Sequence, residues 1–240
     1  YICFMYVYYL KPYFYRWDFG DTYAGSPVVH GIDVSHHQGD IDWKRLARAE
    51  HTGSGIHFVF MKATEGSDWA DSAFQYNFAQ ARANGFIRGA YHFFSNTSPA
   101  EEQAKFFCSR VQLDANDLPP VLDVETRGNY GLDSLQLEVK TWLRHVERHY
   151  GVKPILYTSR RFKERYLNDD TLNAYPFWIA HYYVDSLTYQ GPWTFWQHTD
   201  RGRLPGIRGR VDMNVFNGDL DSLRRFTIRP DDNGEAHADE

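Results

Sequence analysis

The chain is short of cysteine, of surplus positive charge and of long apolar runs, and each shortage removes a class of function. Two cysteines, Cys3 and Cys108, occur in 240 residues. They form no C-x-x-C spacing, so a zinc or dithiol redox motif has no ligands. Cys3 falls in a tail and Cys108 on a predicted helix, so no disulfide between them is expected, and the compartment stays open. Lysine plus arginine number 26 against 31 acids, for a net charge of −5. With no basic patch to offset that balance, nucleic acid is not expected as a partner. No HxH or HExxH pattern is present. His36 and His37 are read as neighbours on an extended segment that point apart, and His92, His181 and His198 fit no ligand spacing, so no metal and no cofactor are expected. No internal repeat is found.

The apolar, aromatic stretch 1–10 is half the length of about 20 residues that a membrane-spanning helix needs. Lys11, Tyr13, Phe14, Tyr15, Arg16 and Trp17 follow it. The segment reads as the outer end of a signal anchor with an interfacial aromatic belt; a tail packed on the domain is the alternative. Residues 20–27 read as a linker, which gives an N-terminal tail over 1–27.

What is present is a globular composition, with 42% hydrophobic and 24% charged residues. Aromatics reach 17%, and such rings serve either as core or as platforms for sugar faces. From residue 28 short apolar strands alternate with amphipathic helices, the pattern of an α/β fold with parallel strands. Strands are predicted at 29–34, 58–63, 87–94, 120–124, 154–158, 177–181, 194–198 and 211–215. Helices are predicted at 43–49, 72–84, 99–111, 134–150 and 160–167. Ser98, Pro99 and Glu101 supply a cap, a first-turn proline and a capping box for the third helix; Gly151 suits the end of the fourth. The expected architecture is a TIM-like β/α barrel over 28–226 with about five helices. Its three terminal strands lack helical cover. An acidic, disordered tail is expected over 227–240.

Barrel active sites sit at the C-terminal ends of the strands, and those ends are rich in acids here. Asp33, Asp123, Glu125 and Asp212 all fall there, with Lys62, Tyr91, Tyr157, Trp178 and Gln197 at neighbouring ends. In Asp123-Val124-Glu125 the two carboxyls are at i and i+2 of a strand, so they face one side, roughly 6–7 Å apart at Cα. Close carboxyls titrate apart, one staying protonated while the other is charged. Glycoside hydrolysis uses that division: an acid protonates the leaving oxygen and a carboxylate serves the cationic sugar centre. The short spacing favours net retention. Taken alone, D-x-E also fits a cation site or local ion pairs, and Lys62 also fits a salt bridge to Glu65 or Asp33. The aromatics serve equally as groove or core.

Five segments in order carry a resemblance. They are Gly31-Ile32-Asp33-Val34-Ser35, Met61-Lys62-Ala63-Thr64-Glu65-Gly66, Gly89-Ala90-Tyr91-His92-Phe93, Leu122-Asp123-Val124-Glu125 and Val211-Asp212-Met213-Asn214. Together they resemble the motifs of glycoside hydrolase family 25, the Chalaropsis-type lysozymes or N-acetylmuramidases, over 28–226. The resemblance implies a β/α barrel with five helices and three uncovered strands. It implies hydrolysis of the β-1,4 bond between N-acetylmuramic acid and N-acetylglucosamine in bacterial peptidoglycan, without a cofactor. It makes Glu125 the general acid/base and Asp123 the second carboxylate, as nucleophile or as helper of the substrate's acetamido group. Asp33 and Asp212 become acids that tune the pair. Lys62, Tyr91, Phe93, Tyr157, Trp178 and Gln197 become groove positions. A monomer is expected outside the cytoplasm, either in the cell envelope (periplasmic and membrane-anchored) or secreted. The competing reading is a glycan-binding barrel without catalysis.

Overall fold

The computed structural model describes residues 29–49 and 55–229; the expected anchor and linker, and most of the expected acidic tail, lie outside them. Alternation of side chains along each strand organises everything else. In β1 (Val29–Val34) Val29, Gly31 and Asp33 face the barrel interior, while Ile32 and Val34 face the helices. In β2 (Ile56–Glu65) Phe58 and Phe60 point inward, and Val59, Met61 and Ala63 outward. The ring continues through β4 (Ile87–Phe93), β5 (Val121–Asp123), β6 (Ile155–Ser159), β7 (Phe177–Ala180), β8 (Phe195–Gly202) and β9 (Val211–Phe216), and closes by pairing of β1 with both β2 and β9. The two-residue β3 (Trp69–Ala70) forms a hairpin with the end of β2.

Two cores follow. Between sheet and helices lie Ile32, Val59, Leu122, Leu156 and Ile179 with the apolar faces of the helices. Inside the barrel, Phe58, Phe60, Trp178 and Phe195 fill the lower layers with rings 4.5–5.7 Å apart. Gly31 and Gly89 make room for them: a Cβ at either would sit within 2.3 Å of Phe58 or 2.6 Å of Phe60.

The five predicted helices are α1 (Trp43–Ala49), α2 (Phe74–Ala83), α3 (Ala100–Arg110), α4 (Leu132–Tyr150) and α5 (Arg160–Tyr166). Gly151 ends α4 in the left-handed conformation, at φ 70°. Two short helices were not anticipated: α6 (Asp170–Asn173) and α7 (Leu220–Phe226). Asp219 caps α7 by accepting from Ser222 N at 2.7 Å. Leu220, Leu223 and Phe226 of α7 pack on the interior cluster, so this helix plugs the barrel end opposite the site.

Four expectations need correction. The strands are not all parallel, because β9 runs antiparallel to both β8 and β1. Only residues 203–210 connect β8 to β9, and a parallel crossover needs about a dozen residues or more. Helix α3 starts without a side-chain cap; its Ala100 N–H donates instead to Glu138 Oε2 of α4 at 2.8 Å. His36 and His37 are not extended but lie in a single 3₁₀ turn, because Ser35 and Gln38 form a capping box around it. Thr227 and Ile228, read as tail, are buried, and Ile228 exchanges backbone bonds with Asn116 and Asp117.

Candidate active site

The inward-facing strand positions nearest the C-terminal mouth bring the acids together. Asp33 of β1 and Asp212 of β9 are direct cross-strand partners. Because β9 is reversed, Asp212 comes from the start of its strand, yet reaches the same mouth. Asp123 of β5 pairs in register with Phe93 of β4 and Tyr157 of β6. Two residues on, Glu125 is the exposed member of the pair, while Asp123 is buried.

Asp33 is held by amides. Its Oδ2 accepts from Gln197 Nε2 at 2.7 Å and from Asn214 Nδ2 at 2.8 Å. Asn214 Oδ1 accepts from the Trp178 indole at 2.8 Å. Gln197 Oε1 accepts the Tyr157 hydroxyl at 2.7 Å and the Tyr182 hydroxyl at 2.6 Å. Burial raises the Asp33 pKa, while hydrogen bonds from Asn214, Gln197 and Asp212 pull it back. For Asp212, burial, the charge of Asp33 and the bond to it all act upward, to about 9. The proton of this pair therefore sits on Asp212, with Asp33 ionised.

Asp123 is pushed well above the usual carboxyl range, first by burial, then by the charges of Glu125 and Asp33. Burial followed by Asp33 also raises Glu125. Lys62 acts in the opposite sense on both, but its Nζ donates to Glu65 at 2.7 Å and lies over the Phe93 and Trp69 rings. Both carboxyls thus hold their protons more firmly than ordinary carboxylates do. Asp123 Oδ1 is buried and has no hydrogen-bond partner among the described residues.

The expected groove residues divide. Tyr91 stands among Asp33, Asp123 and Asp212, and Lys62 and Phe93 line the mouth beside Asp123. Tyr157, Trp178 and Gln197 are buried, and Trp178 stacks on Phe60 at 4.5 Å. These three support the acids from beneath instead of offering a face to a sugar. Sequence reasoning gave no role to Asn214 or Tyr182, although two-residue periodicity from Asp212 and Ala180 aims both inward. It also passed over Trp69, which is 38% exposed at an open pocket shared with Glu65, Asp68 and the 95–98 segment. His36, earlier weighed as a metal ligand, hydrogen-bonds Asp71 through Nδ1 at 2.8 Å. His92 is tied to Thr64 and Gln103 between sheet and helices.

Residues 32–207 match the model of glycosyl hydrolases family 25. The chain belongs to that family. Family 25 relatives cover most of it. The "Uncharacterized protein YegX" of Escherichia coli (strain K12) is 45% identical over 84% of this chain and 74% of its own length. "Lysozyme M1" of Streptomyces globisporus is 36% identical over 81% and 70%. Among solved structures, the bacterial lysozyme of Streptomyces coelicolor superposes with a TM-score of 0.77 at 32% identity, covering 84% of this chain and 98% of that one. The family 25 assignment makes this protein a glycoside hydrolase and agrees with the closed barrel of eight strands.

Proposed function

We propose that this protein cuts bacterial peptidoglycan at the β-1,4 bond between N-acetylmuramic acid and N-acetylglucosamine, with net retention. The observation that carries the reading is the inward-facing Asp123–Glu125 pair, raised in pKa and framed by Asp33 and Asp212. Glu125, the more exposed carboxyl, donates its proton to the leaving glycosidic oxygen and then, as a carboxylate, takes one from water. Asp123 Oδ1, buried without a partner, is suited to accept the acetamido N–H of the muramic acid residue. That contact would turn the acetamido oxygen toward the anomeric carbon, so that two successive inversions give retention. Tyr91, Phe93, Lys62 and the pocket beside Trp69 extend the site along a glycan chain.

A wall substrate places the enzyme outside the cytoplasm. Anchoring through the aromatic segment 1–10 and a monomeric state are parts of the same proposal; no helix among the described residues is long and apolar enough to cross a membrane. The test is to digest purified peptidoglycan, reduce the new ends with borohydride and identify them by mass spectrometry. Reduced muramic acid is the expected product. Reduced glucosamine, or no new ends, overturns the proposal, and binding without new ends would mark a glycan-binding barrel.

A further inference from the structure

Gln197 lies behind the acids, buried at the centre of the hydrogen-bond network. The polarity of that network follows from a donor that cannot reverse. The Trp178 indole only donates, so Asn214 must present Oδ1 to it and Nδ2 to Asp33. Asp33 Oδ2 is thereby fixed as an acceptor, and Gln197 must face it with Nε2. Gln197 Oε1 is then left for the hydroxyl protons of Tyr157 and Tyr182.

We propose that Gln197 is a positioning residue that decides where the protons of the site reside: it holds Asp33 as the ionised member of the acid cluster. Around these groups stand Lys62 and Glu65 of β2, Asp71, Tyr91 of β4, Asp123 of β5, Tyr182 after β7, Asp200 of β8 and Asp212 of β9. None of them replaces the Gln197 donor. Without it Asp33 binds a proton more readily, and its charge no longer favours protonated Glu125. Both changes act in one direction.

The kinetic arm rests on the muramidase reading. In Gln197→Met the alkaline limb of kcat/KM against pH on peptidoglycan should move toward acid by about one pH unit. Gln197→Glu should regain activity as pH falls, since a protonated carboxyl can donate to Asp33 while accepting from the tyrosines. A uniform loss at every pH, with the limb unmoved, overturns the proposal. If Gln197→Met does not fold, Trp178→Phe decides: it frees Asn214 and should move the limb in the same direction by less, and an unmoved limb is again contrary. A spectroscopic arm needs no substrate, so its failure is distinct from failure of the muramidase reading. In protein carrying ¹³C-labelled aspartate carboxyls, the Asp33 resonance, assigned by its loss in Asp33→Asn, should titrate at higher pH in Gln197→Met, or in Trp178→Phe should Gln197→Met not fold. An unchanged midpoint contradicts the proposal.

Discussion

The two ends of the barrel both bury carboxylates, and they treat them in opposite ways. At the closed end Asp117, 1% exposed, is gripped by Arg88 through two bonds, Nε to Oδ1 at 2.8 Å and Nη2 to Oδ2 at 3.1 Å. Arg82 adds a bond at 3.2 Å and the Asp114 backbone N–H another at 2.9 Å. Arg88 in turn donates to the Phe78 carbonyl and lies over the Phe78 ring. At the mouth Asp123 is almost as buried, yet one oxygen has no partner among the described residues and the nearby cation, Lys62, is held by Glu65. A carboxylate matched by guanidinium groups holds structure. A carboxyl buried among other acids stays close to exchanging its proton, which is of use only to chemistry.

That contrast can be broken from either side. The largest effect is expected for Glu125→Gln, which keeps shape but removes the transferable proton. Turnover should fall by about a thousandfold with no loss of thermal stability, read by reducing-end release and a melting curve on one preparation. At the other end, Arg88→Met leaves Asp117 buried beside a weaker partner. Urea denaturation should show a loss of about 3–5 kcal/mol, while kcat of the folded fraction stays as in the parent. The smallest effect is a matter of pH. In the unfolded chain Asp212 ionises near its ordinary 3.8, and in the fold only near about 9. Across that window the folded state binds the extra proton, so this contribution to stability is full below the lower value and is lost as pH rises through the higher one. Asp212→Asn removes that loss. Stability should vary less between these two values, and at pH 8 the variant should melt at a higher temperature than the parent. Parallel curves for parent and variant would show that Asp212 titrates normally.

Much of the mouth was legible in sequence because strand periodicity is simple. Asp33, Tyr91, Asp123, Glu125 and Asp212 all fall on inward positions, and the ordered motifs brought them to one family. Less legible was how inward residues divide by depth. Trp178 and Gln197 lie at the ends of apolar strands like any groove residue, and their burial depends on Phe60 and Asn214, which come from strands distant in sequence. The reversal of β9 was not readable, because the predicted strands leave the long segment 199–210 between them and only the run of β8 on to Gly202 shortens the connection. Readable were the Ser35–Gln38 capping box and the Leu220, Leu223, Phe226 spacing of α7, both local signals outweighed by the regular alternation around them. The cap of α3 by Glu138 was not readable, since it depends on the packing of two helices.

The most direct test of the contrast is Asp123→Asn, with thermal melting and turnover followed in one sample at pH 7. If Asp123 is kept for chemistry at the expense of the fold, the variant melts at a higher temperature than the parent and releases reducing ends far more slowly. A variant that melts lower while keeping its turnover would place Asp123 with Asp117, as a carboxylate that holds structure, and would contradict the account.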